Sequence, residues 1–212
     1  MRIYAAADIH GIADKIALVR KNTTDFKPDV IVLAGDITNY FNSTNVVEQF
    51  NHMSVPVLAI RGNTDLSKVD RLLDYYPNTS SLHLKKHKIN GIKFSGISGT
   101  IPVPFSSRIK LLEKRIFDTL ATLINEDSVL VVHSPPRGVL DTAFGRFHAG
   151  CRRLHQLVVE RQPRLVLCGH IHECPGVASI GQTTVVNCNI ARAGRGAVVD
   201  FDSNGTFRVK MV

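Results

Sequence analysis

The chain has 212 residues, of which 44% are hydrophobic and 21% charged, an ordinary globular composition that suits one α/β domain with a sizeable core. No apolar run approaches the ~20 residues of a membrane span, and the amino-terminal MRIYAAADIHG turns polar too early for a signal peptide, so a cytoplasmic protein without membrane contact is expected. The formal charge of +8 points to an anionic partner, either a phosphorylated small molecule or nucleotide, or a nucleic acid.

Ile3 to Ala7 reads as a short buried strand that ends in Asp8-Ile9-His10-Gly11, and Asp8 and His10, two apart, share one face of an extended chain. Ile12, Ile16 and Val19 follow at helical spacing. VIVLAGD, Val30 to Asp36, is an unbroken apolar run between Pro28 and Gly35, as expected of a strand covered on both faces. The carboxyl end of such a strand opens on the crevice where α/β sheets hold ligands, which would place Asp36 in a site; as a lone residue it would read equally well as a helix cap. Thr44 to Met53 predicts a helix, and Val57 to Ile60 a strand ending in Arg61-Gly62-Asn63-Thr64-Asp65. Leu82 to Leu84 and Ile89 to Phe94, with Asn90-Gly91 as a turn signal, predict a hairpin or edge strands, and Ser95 to Pro104 a loop.

Ile109, Leu112, Ile116, Leu120 and Leu123 repeat every three or four residues, which predicts a helix. Ser128 to Val132 is another buried strand and stops at His133. Arg137 to Gly150 has three glycines and no clean period. It reads as a long loop with room for a short helix, and loops of that length are usually functional. Because it follows a ligand-type strand end, Arg137, His148 and the backbone at Gly150 are expected to contact an anionic substrate. Leu154, Leu157 and Val158 predict a helix closed by Pro163, and Leu165 to Cys168 a strand ending in Gly169-His170-Ile171-His172. Val177 to Ile180, Thr183 to Val186, Ala197 to Phe201 and Phe207 to Met211 read as antiparallel strands of a second sheet. No repeat or linker divides residues 1–212, so one domain is expected.

Five strands therefore end in Asp8/His10, Asp36, Asn63, His133 and His170/His172. Singly these are a capping Asp, a turn Asn or a satisfied His. Jointly, strand ends of one sheet converge, and carboxylate, imidazole and amide oxygen are ligands of first-row divalent metals. Seven ligands exceed one tetrahedral ion and suit two ions ~3.5–4 Å apart that share a bridging carboxylate. Cys168, His170, His172 and Cys174 lack the spacing of a structural zinc site, and the few cysteines, set in or beside apolar segments, suggest free thiols. The basic runs at Lys85–Lys88 and Arg152–Arg153, and the set Arg108, Lys110, Lys114 and Arg115, are not interleaved with stacking aromatics, which disfavours nucleic acid.

The ordered set D-x-H, G-D, G-N-x-D, H and G-H-x-H resembles the calcineurin-like metallophosphoesterases, and HSPPRGVLD, HAGC and GHIHE look most like its small phosphodiesterase-type branch. The resemblance implies a four-layer αββα sandwich of two mixed β-sheets flanked by helices. It implies that Asp8, His10, Asp36 and His172 hold one divalent ion and Asp36, Asn63, His133 and His170 a second, with manganese, iron, nickel or zinc used in different members. It further implies hydrolysis of phosphate esters by a metal-bound hydroxide, with no protein nucleophile. Two positions depart from the family pattern. Thr64 stands where many members carry a His that assists the leaving group, which counts against alkyl phosphomonoesters; phosphodiesters are the expected substrates. Asn187-Cys188-Asn189 replaces a frequent N-P-G. A non-catalytic metal-binding scaffold and a nuclease are the competing readings.

Overall fold

The computed structural model describes residues 1–99, 107–192, 194–202 and 204–212. The strand-forming runs alternate with helices for the first half of the chain: β1 (Arg2–Ala6), α1 (Ala13–Phe26), β2 (Val30–Ala34), α2 (Ser43–Asn51), β3 (Val57–Ile60), α3 (Lys68–Tyr75) and β4 (Thr79–Ser81). The hairpin β5 (His87–Ile89) and β6 (Ile92–Ile97) turns at Asn90-Gly91, as expected, and α4 (Ser107–Leu123) and β7 (Ser128–Val132) follow. The remaining elements are β8 (Thr142–Ala143), β9 (Phe147–His148), α5 (Arg152–Arg161), β10 (Leu165–Cys168), β11 (Gly176–Ile180), β12 (Thr183–Asn187), β13 (Ala197–Phe201) and β14 (Phe207–Met211). The loop expected over Ser95 to Pro104 lies, from residue 100 onward, outside the described residues.

Two six-stranded mixed sheets form, in the orders β14-β13-β1-β2-β3-β4 and β11-β12-β10-β7-β6-β5. Strand alternation sorts their side chains into three cores. Ile3, Ala5, Val30 and Val32 of the first sheet meet Val129, Val131, Leu165 and Leu167 of the second between the sheets. Their neighbours Tyr4, Ile31 and Leu33 face Ile16, Val19, Val47, Phe50, Val69 and Leu73 of α1, α2 and α3. Leu130, Val132 and Val166 face Phe117 and Leu120 of α4 and Leu154, Leu157 and Val158 of α5. Three cores between four layers give the αββα sandwich. Among the described residues no helix is long and apolar enough to cross a membrane.

The expected strand ends do not belong to one sheet. β1, β2 and β3 lie in the first and β7 and β10 in the second, and the ends meet because the two sheets present their carboxyl ends at one rim. The carboxy-terminal strands likewise do not make a sheet of their own. β12 runs parallel to β10, while β13 pairs antiparallel with β1. The crossing point is the stretch that replaces N-P-G: Ala7 N–H donates to Cys188 O (3.2 Å), Ile190 N–H to Ala7 O (3.0 Å) and Cys188 N–H to Cys168 O (2.8 Å), which stitches the sheets together beside the ligand-type residues. A short β-hairpin, β8–β9, takes the place of the short helix allowed for between Arg137 and Gly150, its turn made by Phe144 (φ 52°) and Gly145 (φ 66°).

Candidate metal centre

Four of the candidate ligands sit in the left-handed region: Asp8 (φ 64°), His10 (φ 57°), Asp36 (φ 50°) and His170 (φ 69°). Such residues cost about 1–3 kcal/mol each and persist only where their surroundings over-determine them. Here Asp8 N–H donates to Gly35 O (3.1 Å), His10 N–H to Asp36 O (2.8 Å) and Gly11 N–H to Ile37 O (2.9 Å), locking the β1 and β2 ends together. His170 N–H donates to Asp8 Oδ2 (3.0 Å), tying in β10. The glycine before each of three candidate ligands is needed for space. A Cβ on Gly35 would lie 2.5 Å from His133 Nδ1, one on Gly62 2.1 Å from Asp36 Oδ1, and one on Gly169 2.6 Å from Asp8 Oδ2. Gly62→Ala is therefore expected to push Asp36 aside, with metal stoichiometry falling far more than helix content by circular dichroism.

On this frame the side chains converge. Asp8, His10 and His172 offer ligand atoms all within 4.8 Å of one another, and so do Asp8, Asp36 and His133. His172 Nε2 lies 3.2 Å from Asp8 Oδ1, and Asp36 Oδ2 is 3.4 Å from His133 Nε2 and 3.8 Å from His10 Nε2. Asn63 Oδ1 is 3.1 Å from His133 Nε2, and the His133 and His170 rings are 5.0 Å apart. His133 Nδ1 pairs with Ala34 O at 2.9 Å, which aims Nε2 at the cluster. Burial raises the pKa of Asp36, but the hydrogen bond and charge of His133, the Thr64 N–H and His10 outweigh it and hold the carboxyl well below the usual range. Burial lowers His133, yet its pairing with Asp36 prevails and brings it up to about 9. Two buried carboxylates this close repel unless cations offset them, and with imidazoles and an amide oxygen around them they are a donor set for divalent metals.

The sequence model of the calcineurin-like phosphoesterases matches residues 1–174. The chain belongs to this family. It is similar to uncharacterized protein MJ1162 of Methanocaldococcus jannaschii, 30% identical over 197 residues that cover 88% of this chain and 87% of that one. Among solved structures it shares the fold of a Danio rerio dimetal phosphatase (TM-score 0.70, 11% identity, covering 100% of this chain and 95% of that one). It also shares the fold of an archaeal phosphodiesterase (TM-score 0.58, 14% identity, 100% of both chains). As a calcineurin-like phosphoesterase the chain is a metallophosphoesterase with candidate metal-ligand clusters.

Within this family frame, several residues that sequence reasoning left without a role hold the site. Asp65, the last letter of G-N-x-D, is buried and accepts from Ile37 N–H (3.0 Å), Thr38 N–H (2.7 Å), Thr38 Oγ1 (2.7 Å) and Gly62 N–H (2.8 Å), joining the β2 and β3 ends. Asn187 and Asn189 donate to Ile171 O (2.9 and 3.1 Å), fixing the turn between His170 and His172. Thr64 N–H donates to Asp36 Oδ1 (2.9 Å), and its hydroxyl lies 3.3 Å from His10 Nδ1.

The Arg137 to Gly150 loop is built around Asp141, which is also buried. Asp141 Oδ2 accepts from Gly138 N–H (2.9 Å) and Gly150 N–H (3.1 Å), and Oδ1 pairs with His148 Nδ1 (2.7 Å). Arg137 Nη1 donates to His148 O (2.9 Å), so Arg137, His148 and Gly150 meet one another within the loop. Burial pushes the Asp141 pKa up, but the His148 hydrogen bond and the two backbone donors prevail and lower it. A lowered folded value means that this stabilisation is complete above the ordinary carboxyl pKa of about 4 and is lost as pH falls through the folded value. Asp141→Ala is expected to cost about 2–3 kcal/mol at neutral pH, because two N–H groups lose their partner. The gap in melting temperature to the parent should close in acid.

Proposed function

We propose that residues 1–212 act as a single catalytic domain that hydrolyses phosphodiesters with two divalent ions, one held by Asp8, His10, Asp36 and His172 and the other by Asp36, Asn63, His133 and His170. The observation that carries this is the meeting of two buried carboxylates, an amide and four imidazoles from two sheets, on strained backbone and with glycines where no Cβ fits. Ions bound there would lower the proton affinity of a water and draw charge from the phosphoryl oxygens. The chain's own contribution is orientation. Ala34 O and Thr64 Oγ1 fix the rings of His133 and His10, and Thr64 N–H fixes the Asp36 carboxylate. Arg137 and His148, on the braced loop after β7, are assigned to the substrate's anionic oxygens. Manganese, iron, nickel and zinc all suit this donor set.

The test is turnover of bis-p-nitrophenyl phosphate by protein stripped with chelator and reloaded with each metal in turn, compared with p-nitrophenyl phosphate. Faster turnover of the diester, restored by metal, is expected. No turnover with any of the four metals would leave a metal-binding scaffold, and a faster monoester would reverse the substrate preference.

A further inference from the structure

Among the described residues, eight large hydrophobics are prominently exposed, and five of them stand on loops that leave the candidate metal centre: Ile12 after β1, Tyr40 and Phe41 after β2, and Phe144 and Phe147 after β7. Phe41 is 91% exposed and Phe144 82%, so folding gains little from either ring. Exposed apolar residues gathered at one place mark a binding surface.

Both aromatic loops are held in place. Asn39 Oδ1 accepts from Phe41 N–H (3.1 Å) and Asn42 N–H (2.9 Å), and the turn rests on Gly11, where an added Cβ would lie 3.0 Å from Asn39 Nδ2. This loop thus abuts the His10 end of the cluster. The β8–β9 hairpin is braced by Asp141 and fastened by Cys174 Sγ to Thr142 O (3.2 Å), two residues past His172, so it abuts the neighbouring His172 side of the cluster. The His10 and His172 rings are 5.8 Å apart. Arg146 sits at the hairpin tip between Phe144 and Phe147, a cation interleaved with aromatics that is overlooked when only runs of basic residues are considered.

We propose that these two loops form a stacking clamp for a planar base, so that the phosphoester taken by this site carries a nucleoside. The proposal rests on the phosphoesterase reading above. Aromatic planes are what base stacking uses, Arg146 adds charge complementary to phosphate and stacks on bases itself, and the clamp is continuous with the residues that would hold the phosphoryl group. A lipid surface would also use exposed rings, but insertion into lipid does not call for loops whose backbone is tied to a ligand cluster.

The test measures binding of adenosine 5′-monophosphate and of ribose 5-phosphate to manganese-loaded protein by equilibrium dialysis, with turnover of bis-p-nitrophenyl phosphate checked on the same preparation. The nucleotide is expected to bind at least tenfold more tightly. Phe41→Ala and Phe144→Ala, both at exposed positions, should each weaken it by roughly five- to a hundredfold, the range of one stacked base, and leave ribose 5-phosphate unchanged. Equal affinities in the parent, or variants that keep the nucleotide preference, overturn the clamp while the diester is still turned over. Phe-dependent binding to phosphatidylserine vesicles without a base preference would overturn it in favour of a lipid surface. Absence of both turnover and phosphate-ligand binding would overturn the phosphoesterase reading, and the clamp with it.

Discussion

Asp36→Ala is expected to lose both ions and reduce phosphoester turnover to the level of the buffer blank, whereas Asp8→Ala should weaken one ion preferentially. The reason is position: Asp36 Oδ2 lies between His10 Nε2 and His133 Nε2, one from each proposed ligand set, at 3.8 and 3.4 Å. Its backbone and Oδ1 are fixed by His10 N–H and Thr64 N–H, which hold Oδ2 at that position. Elemental analysis after gel filtration in limiting metal gives the stoichiometry. Asp8 is the rival bridge, since it belongs to both three-residue clusters and Asp36 to one. If Asp8→Ala emptied both sites and Asp36→Ala only one, the two residues would exchange roles.

The candidate site was legible because its candidate ligands follow directly on buried strands. VIVLA and LVLC are apolar on both faces, so the first polar residue past each has to emerge at the rim, and a glycine before it marks where the backbone is crowded. What was not legible is pairing across the sandwich. Nothing in Ser128 to Val132 distinguishes a fifth strand of one sheet from a strand of a second, because a buried run shows no face of its own. The short elements α3 and β4 escaped for a different reason. Only Val69 and Leu73 of α3 are fully buried, and Thr79–Ser81 is polar in composition, its buried Ser81 hydroxyl satisfied by Asp70 at 3.2 Å instead of by apolar packing. Asp141 resembled any loop carboxylate, since its partners Gly138 and Gly150 are set by the fold and not by sequence periodicity.

Thr64 is where sequence and structure together predict most. A general acid in phosphoryl transfer contributes typically 10²- to 10⁴-fold, and a threonine hydroxyl is far too weak an acid to serve at neutral pH. The structure gives the side chain other work: its hydroxyl, 3.3 Å from His10 Nδ1, holds the ring with Nε2 turned to the cluster. Two outcomes follow, and they separate. Thr64→Val, which keeps the shape and the backbone N–H to Asp36 but removes the hydroxyl, should weaken metal binding and turnover roughly 10- to 100-fold, the usual cost of losing a partner behind a metal ligand, and Thr64→Ser should recover both. Leaving-group dependence reports the missing acid. With Thr64 in place, log kcat/KM plotted against leaving-group pKa should fall steeply, aryl esters reacting readily and alkyl esters poorly. Thr64→His should flatten that line in protein shown to retain its metals, because a proton helps the poorest leaving groups most. A line already shallow in the parent, with chemistry limiting, would mean that another group supplies the proton. Thr64→Val with full metal affinity would mean that the contact to His10 does not orient the ring.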